Sequence, residues 1–417
     1  MVIAIDDLDL PTVSFLGLDR AAALTMMRDV QEHSWIARHE FGYVVTSYTE
    51  AVAILRDRRF HSAISLIAQR DEAAAPRRRA NGQESILTME GEPHQRLRRL
   101  VAPAFTPNAA EKLRPFMRSV IETLVDAATN NALAARPASA DDHAIARCEF
   151  VETVCEPYPI PIICELLGAP KDDWKLFSNW ATDIFRIFNG NLEVDQPLID
   201  AASMALDEYV TTMIAERRHA PKDDLLSAMI AVEEAGDRLS TSELSMMSQA
   251  VLMAGTDTTR NQLGCTMALL AQHPDQWQLL RERPELAQKA VEESMRVLGA
   301  VRGTARFASE DVVYRDVLFP KGTFVSVSLA TANHDPATFN DPGTFDIAAD
   351  RTTAQMTFGS GIHYCLGAAL ARAELQEALG VLSARWETIA LDGEVEWKPD
   401  TFGIWGPAKL PLRFTKA

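Results

Sequence analysis

The chain has 417 residues, 47% of them apolar and 24% charged, and its 58 acidic against 41 basic side chains leave a formal net charge of −17. This composition suits a soluble globular protein and excludes a disordered or collagen-like chain, while the acidic balance argues against nucleic-acid binding through phosphate neutralisation. A length above roughly 250–300 residues ordinarily divides into two or three domains, whereas the order of motifs below points to one domain over residues 1–417.

Met1–Leu18 carries Asp6, Asp7 and Asp9, with no basic start ahead of an apolar core, so it does not read as a signal peptide. No segment approaches the roughly 18 uncharged apolar residues of a bilayer span. The expectation is a cytoplasmic monomer without membrane insertion. Cys148, Cys155, Cys164, Cys265 and Cys365 are odd in number and irregular in spacing, with no CxxC pair, which disfavours a disulfide framework and structural zinc.

In chain order, helical periodicity runs through Ala51–Arg56, Pro93–Ala104, Ala109–Ala128, Leu198–Arg218, Ser242–Gln272, Pro284–Leu298 and Leu366–Arg385. Arg70–Gln83 and Asn130–Asp142 read as exposed loops. The run Ser242–Gln272 is the longest; Ser240 and Glu243 form a capping box ahead of it and His273-Pro274 ends it. As one helix at 1.5 Å per residue it would measure on the order of 45 Å. Strand-like pieces are few: Val312–Tyr314, Thr323–Leu329 and Leu410–Phe414. The fold class is mainly α with a small β portion.

The segment richest in chemistry is Phe358-Gly359-Ser360-Gly361-Ile362-His363-Tyr364-Cys365-Leu366-Gly367. Two glycines within three residues allow a tight turn and a close backbone approach. A thiol just ahead of a helix N-terminus meets unpaired N–H groups that favour the thiolate. Locally, Cys365 reads as a small buried residue, the usual fate of a free cysteine, or as a metal ligand or a nucleophile with His363 as base.

The whole segment resembles the haem-ligand loop of the cytochrome P450 family, Phe-x-x-Gly-x-His-x-Cys-x-Gly, with every fixed position filled. Ala371, Arg372 and Glu374 further match its bacterial, soluble branch. The resemblance implies haem b with Cys365 as axial thiolate, a ligand whose electron push favours O–O cleavage. It also implies His363 on a haem propionate, Phe358 beside the sulfur, and Gly359 and Gly367 in the loop around the cofactor.

Other landmarks stand in the family's order. Ala254, Gly255 and Thr258 share a helix face inside Ala254-Gly255-Thr256-Asp257-Thr258-Thr259, although an interior Gly costs about 1 kcal/mol against Ala. By resemblance this is the oxygen groove, with Thr258 bonding dioxygen and Asp257 relaying protons; the alternative is a Gly kink with Thr side chains bonding to the previous turn. Glu293 and Arg296 form a structural i, i+3 pair, with Arg351 as its third member. His94 and Arg98, four apart, match a propionate clamp, and Arg306 a further propionate contact. Arg96 and Arg99 form a basic patch expected to dock an acidic ferredoxin. The likeness runs from about Thr49 to Phe414. It departs after Arg296, where a common Pro is missing, and at Gln355, where many relatives carry His.

The reading is therefore a single-domain haem-thiolate monooxygenase, with haem enclosed between a long central helix and the cysteine loop. It would hydroxylate a hydrophobic small molecule with O2 and electrons from a ferredoxin and ferredoxin reductase, because the chain has no room for a flavin domain after its β tail. A peroxide-driven peroxygenase is the enzymatic alternative, opposed by Asp257 and Thr258; a non-catalytic haem-thiolate sensor is the other. Pocket candidates by position are Leu252, Met253, Leu298, Val301, Ile404 and Trp405, with Ile184–Phe188.

Overall fold

The computed structural model describes residues 2–14, 20–64, 85–134, 145–188, 192–235, 239–399 and 404–417. The loop expected at Arg70–Gln83 lies outside these residues. So does most of Asn130–Asp142, whose first residues instead extend the helix Pro107–Ala134. The chain forms two compact units, each assembled from separated segments: Met1–Arg99, Val301–Thr344 and Arg351–Cys365 in the first, Leu100–Ala300, Phe345–Asp350 and Leu366–Ala417 in the second.

The first unit is built on a five-stranded mixed sheet, in the order Ile36–His39, Gly42–Val45, Phe324–Ser328, Gly303–Ala308 and Phe60–Ser62. Side chains alternate between its faces. Ile36, Tyr43, Val45, Val325 and Val327 enter one core with Ile54, Leu55 and Phe319. Ala37 and Val44 enter another with Val13 and Met27. The edge strand Phe60–Ser62 pairs antiparallel with Gly303–Ala308 and sets Ser62 opposite Arg306. A small sheet of Ile3–Ala4, Val317–Phe319 and Val312–Tyr314 completes the β content of this unit.

The second unit is mostly helical, with a three-stranded sheet of Trp386–Leu391, Pro411–Lys416 and Ile145–Glu149 and a two-stranded ribbon of Glu396–Trp397 and Pro407–Lys409. Several expected helices recur with shifted ends. Pro107–Ala134 and Leu192–His219 are longer, Gly91–Val101 and Ala368–Arg385 begin or end on glycine or a short turn, and Pro284–Leu286 is a separate 3-10 turn before Ala287–Val297. Among the described residues no helix is long and apolar enough to cross a membrane.

The single long helix does not form. It is two helices, Thr241–Ala254 and Asp257–Gln272, joined by a turn at Gly255-Thr256. The capping box is present at its start. The break arises from Thr256, whose amide and hydroxyl both bond the Met253 carbonyl, at 3.3 and 2.8 Å, in place of a helical partner four residues back. Gly255 is fixed by space, since a Cβ there would meet Ile163 Cγ1 at 2.8 Å.

Gly255→Ala should therefore overpack this turn and cost about 1–3 kcal/mol despite the gain in helix propensity. Urea denaturation would show a lower midpoint at unchanged slope, and adding Ile163→Val should recover part of the loss.

Candidate functional site

The cysteine loop belongs to the first unit. Gly359 and Gly361 both have positive φ, +70° and +75°. At Gly361 the need for glycine is doubled, because a Cβ would lie 2.0 Å from the Leu55 carbonyl oxygen. The turn closes with the Gly359 amide on the Met356 carbonyl at 2.7 Å and the Cys365 amide on the Phe358 carbonyl at 3.0 Å. Arg56 adds a bond to Ser360 Oγ at 3.0 Å. The backbone thus holds Cys365 against Phe358, and the thiol is only partly buried. Gln355, the departure from the family pattern, accepts the Thr357 amide at 2.6 Å and steadies the approach to the loop. Gly367 is the N-cap residue of Ala368–Arg385, so Cys365 precedes that helix by three residues.

The same unit gathers the expected cations. Arg98 donates to the carbonyl of Tyr364, the residue before the cysteine. Burial lowers the Arg98 pKa, and attraction from Cys365 opposes that shift. His94 is fully buried, its ring centroid 4.6 Å from that of His363. Burial, then the positive fields of His363 and Arg98, push its pKa down to about 4, so the ring is neutral near pH 7. Its Nδ1 is buried without a hydrogen-bond partner. Arg306 is 5% exposed and spends its bonds on Thr304 Oγ1 at 3.1 Å and the Ala305 carbonyl at 2.9 Å. Desolvation lowers its pKa to about 10, and among the described residues no carboxylate forms an ion pair with it. A buried guanidinium and a buried imidazole nitrogen left unsatisfied call for an anion. His363 is the exception to the expected set: its Nε2 lies 3.0 Å from Glu90.

The second unit carries the motif of the broken helix. Ala254 is exposed and Thr258 partly exposed, while Leu252, Met253, Thr256, Asp257 and Thr259 are buried. The small-residue face is therefore the accessible one. Thr258 donates its hydroxyl proton to the Ala254 carbonyl at 2.9 Å, leaving its oxygen as an acceptor. Asp257 is pinned by Arg260, whose Nε lies 2.6 Å away, and by Lys398 at 3.5 Å. Arg260 is itself held by Ser178 Oγ at 3.2 Å and Thr182 Oγ1 at 3.1 Å. Burial lowers the Lys398 pKa, and the Asp257 charge opposes it. Glu293 and Arg296 form their pair at 2.7 Å, fully buried.

Of the pocket candidates, Leu252, Met253, Leu298, Ile404 and Trp405 lie in the second unit and Val301 in the first, packed against its core. The backbone lacking the expected Pro is set by Gln262, a residue the motifs did not single out. Its Oε1 accepts the Ala300 amide at 2.8 Å and its Nε2 donates to the Leu298 carbonyl at 3.3 Å. Trp405 bonds the Ala300 carbonyl through its amide at 2.9 Å, and its ring lies stacked on Trp397 with centroids 4.4 Å apart. Ile184 ends the helix Trp174–Ile184 and Phe185–Phe188 forms a 3-10 turn. Glu90, Arg260 and Lys398 were also missed. Arg260 had a signal, an acid–base pair at i, i+3; Glu90 and Lys398 had none, because their partners are remote in sequence.

The family model for cytochrome P450 matches residues 61–409. The chain is 33% identical over 413 residues to luteothin monooxygenase of Streptomyces thioluteus, covering 98% of this chain and 97% of that protein. It is 36% identical over 379 residues to mycinamicin IV hydroxylase/epoxidase of Micromonospora griseorubida, covering 89% of each. Among solved structures, CalO2 superposes with a TM-score of 0.82 at 27% identity, over 95% of this chain and 96% of that one. The chain belongs to the cytochrome P450 family. It is accordingly a haem-dependent oxidoreductase of a family that holds iron through a cysteine thiolate and draws electrons from a redox partner. The residues present suit haem: a partly exposed thiol on a tight turn, a buried guanidinium with no ion-pair partner among the described residues, and an orphaned imidazole nitrogen.

His94 carries a pH signature. In the haem-free protein its folded pKa, about 4, lies below the unfolded value of 6.5. Between those values the unfolded chain binds more protons, so stability falls as pH falls, by an amount on the order of 2 kcal/mol. Unfolding titrations at pH 7 and pH 4.5 should show this loss, and His94→Gln should remove most of it.

Proposed function

We propose that the chain is a haem-thiolate monooxygenase in which Cys365 would hold the haem iron through its thiolate, and that it oxygenates a hydrophobic natural product of polyketide type with electrons from a ferredoxin and its reductase. The observation that carries the reading is the pairing of the cysteine loop with the unpaired Arg306 and the orphaned His94 nitrogen, in a chain whose relatives are monooxygenases. Haem, when bound, supplies the oxygen activation. The chain's part is to hold it and to manage protons. Arg306, Arg98 and His94 would bind the two carboxylates, and the Arg98 bond to Tyr364 would keep the thiolate-bearing turn in register with that clamp.

Asp257 and Thr258 supply the proton side. The Thr258 proton is committed to the Ala254 carbonyl, so its oxygen would accept a hydrogen bond and orient a protonated species rather than donate its own proton. Asp257, held between Arg260 and Lys398, would take protons from solvent when that pairing loosens. An acid–alcohol pair of this kind supports dioxygen rather than peroxide as oxidant.

The substrate class rests on likeness. Mycinamicin IV hydroxylase/epoxidase, 6-deoxyerythronolide B hydroxylase of Saccharopolyspora erythraea and the polyketide biosynthesis cytochrome P450 PksS of Bacillus subtilis are all relatives. The apolar Leu252, Met253, Leu298, Val301 and Ile404 agree with an apolar substrate. A macrolide aglycone should shift the spin state of the haem-loaded protein; absence of a shift with any polyketide or other apolar compound would overturn the substrate class.

The central test is the spectrum of the reduced, carbon-monoxide-bound protein. A strongly red-shifted Soret band is expected, and Cys365→Ala should abolish it; its survival in that variant would overturn the ligand assignment. Asp257→Asn should keep the band and slow turnover by roughly 10²-fold, the scale of general acid catalysis. Charge reversal at Arg96 and Arg99 should slow reduction by ferredoxin and flatten its salt dependence, with Arg99 first released from its surface pair with Glu92.

A further inference from the structure

Glu90 stands immediately before the helix Gly91–Val101, and no motif assigns it a role. Its carboxylate accepts the Ser62 amide at 2.6 Å and lies 3.0 Å from Nε2 of His363. Ser62 closes the edge strand and sits across the ladder from Arg306. One side chain therefore ties three elements of the first unit together: the sheet edge, the start of the His94 helix and the cysteine loop. Burial opposes its charge, but bonds from His363 and the Ser62 amide outweigh that cost and keep its pKa below the ordinary carboxylate range.

The distribution of partners around this tie is uneven. His363 has an anion within the chain. Arg306 forms no ion pair among the described residues, although the charge of Glu90 reaches it and opposes its desolvation, and the buried Nδ1 of His94, whose ring lies against His363, has no hydrogen-bond partner. We propose that Glu90 is a positioning residue of the cofactor cradle: it occupies Nε2 of His363, fixes that ring against His94, and leaves recognition of the haem carboxylates to Arg306, Arg98 and His94. This rests on the haem-thiolate reading above and refines it, because the histidine of the loop then acts as a spacer held by an internal acid rather than as a carboxylate ligand through that nitrogen.

The test uses the holoprotein and two readouts besides activity: the rate of haem transfer to apomyoglobin, and the propionate bending band in the resonance Raman spectrum. Glu90→Gln keeps an oxygen for the Ser62 amide but loses the charge-assisted bond to His363. It should speed haem loss severalfold, since the His363 ring is no longer fixed against His94, and shift the propionate band, since Nε2 of His363 is then free to reach a haem carboxylate. Glu90→Asp should fall between that variant and the wild type. In a His363→Gln background, Glu90→Gln should move neither readout further. An unmoved band and unchanged haem loss in Glu90→Gln would overturn the proposal, even with a lower melting temperature, because the residue would then be only a tie between strand and helix. A wild-type protein without the thiolate band would overturn the haem-thiolate reading itself; a normal band with unmoved Glu90 variants would overturn only the role of Glu90.

Discussion

A cation taken out of water with no ion-pair partner among the described residues is the constraint around which the first unit is organised. Arg306 sits on a central strand, 5% exposed, with only a hydroxyl and a carbonyl as bonding partners. Its lowered pKa expresses the cost of that burial. A fold tolerates such a cost when something outside the polypeptide offsets it. The neighbouring groups follow the same logic. His94 stays neutral, which avoids adding a second unpaired charge, and Arg98 is turned to the backbone of the cysteine loop. The thiol and the anion-seeking groups thus belong to one design within a single unit.

The second unit addresses a different demand, the storage of a buried acid. Asp257 is fully enclosed but doubly paired, and its principal partner lies one turn away on the same helix. Because Arg260 is fixed by Ser178 and Thr182, the pair does not depend on a flexible surface side chain. The helix break two residues earlier leaves Ala254 and Thr258 accessible while Asp257 is buried. A regular helix through Gly255-Thr256 would place these groups in another order around the axis.

Legibility in the sequence followed the range of the interactions. The cysteine loop was readable because glycines at positive φ and a following helix are local features. The ends at Ser240 and His273-Pro274 were readable for the same reason. The break at Thr256 was readable only as the alternative of a Gly kink with Thr side chains bonding to the previous turn, because such a bond leaves no trace in periodicity. The strands Phe60–Ser62 and Gly303–Ala308 were missed because three residues are too few for a pattern and because Arg306 interrupts the apolar alternation. Glu90 and His363 are 273 residues apart, a pairing that no window along the chain can contain. Gln262 had no such signal: it follows Asp257, Thr258, Thr259, Arg260 and Asn261, and nothing local distinguishes it from these polar neighbours as the amide that holds the backbone.

The Trp397–Trp405 ribbon has a bearing on divergence. Lys398, between those stacked rings in sequence, pairs with Asp257, and Ile404 and Trp405 follow on the same short excursion of the chain. A lineage that altered this excursion to accept a new molecule would also shift the cation beside the acid. Under the proposed function, selectivity and proton supply would be linked through this one segment, so that a change made for either would touch the other.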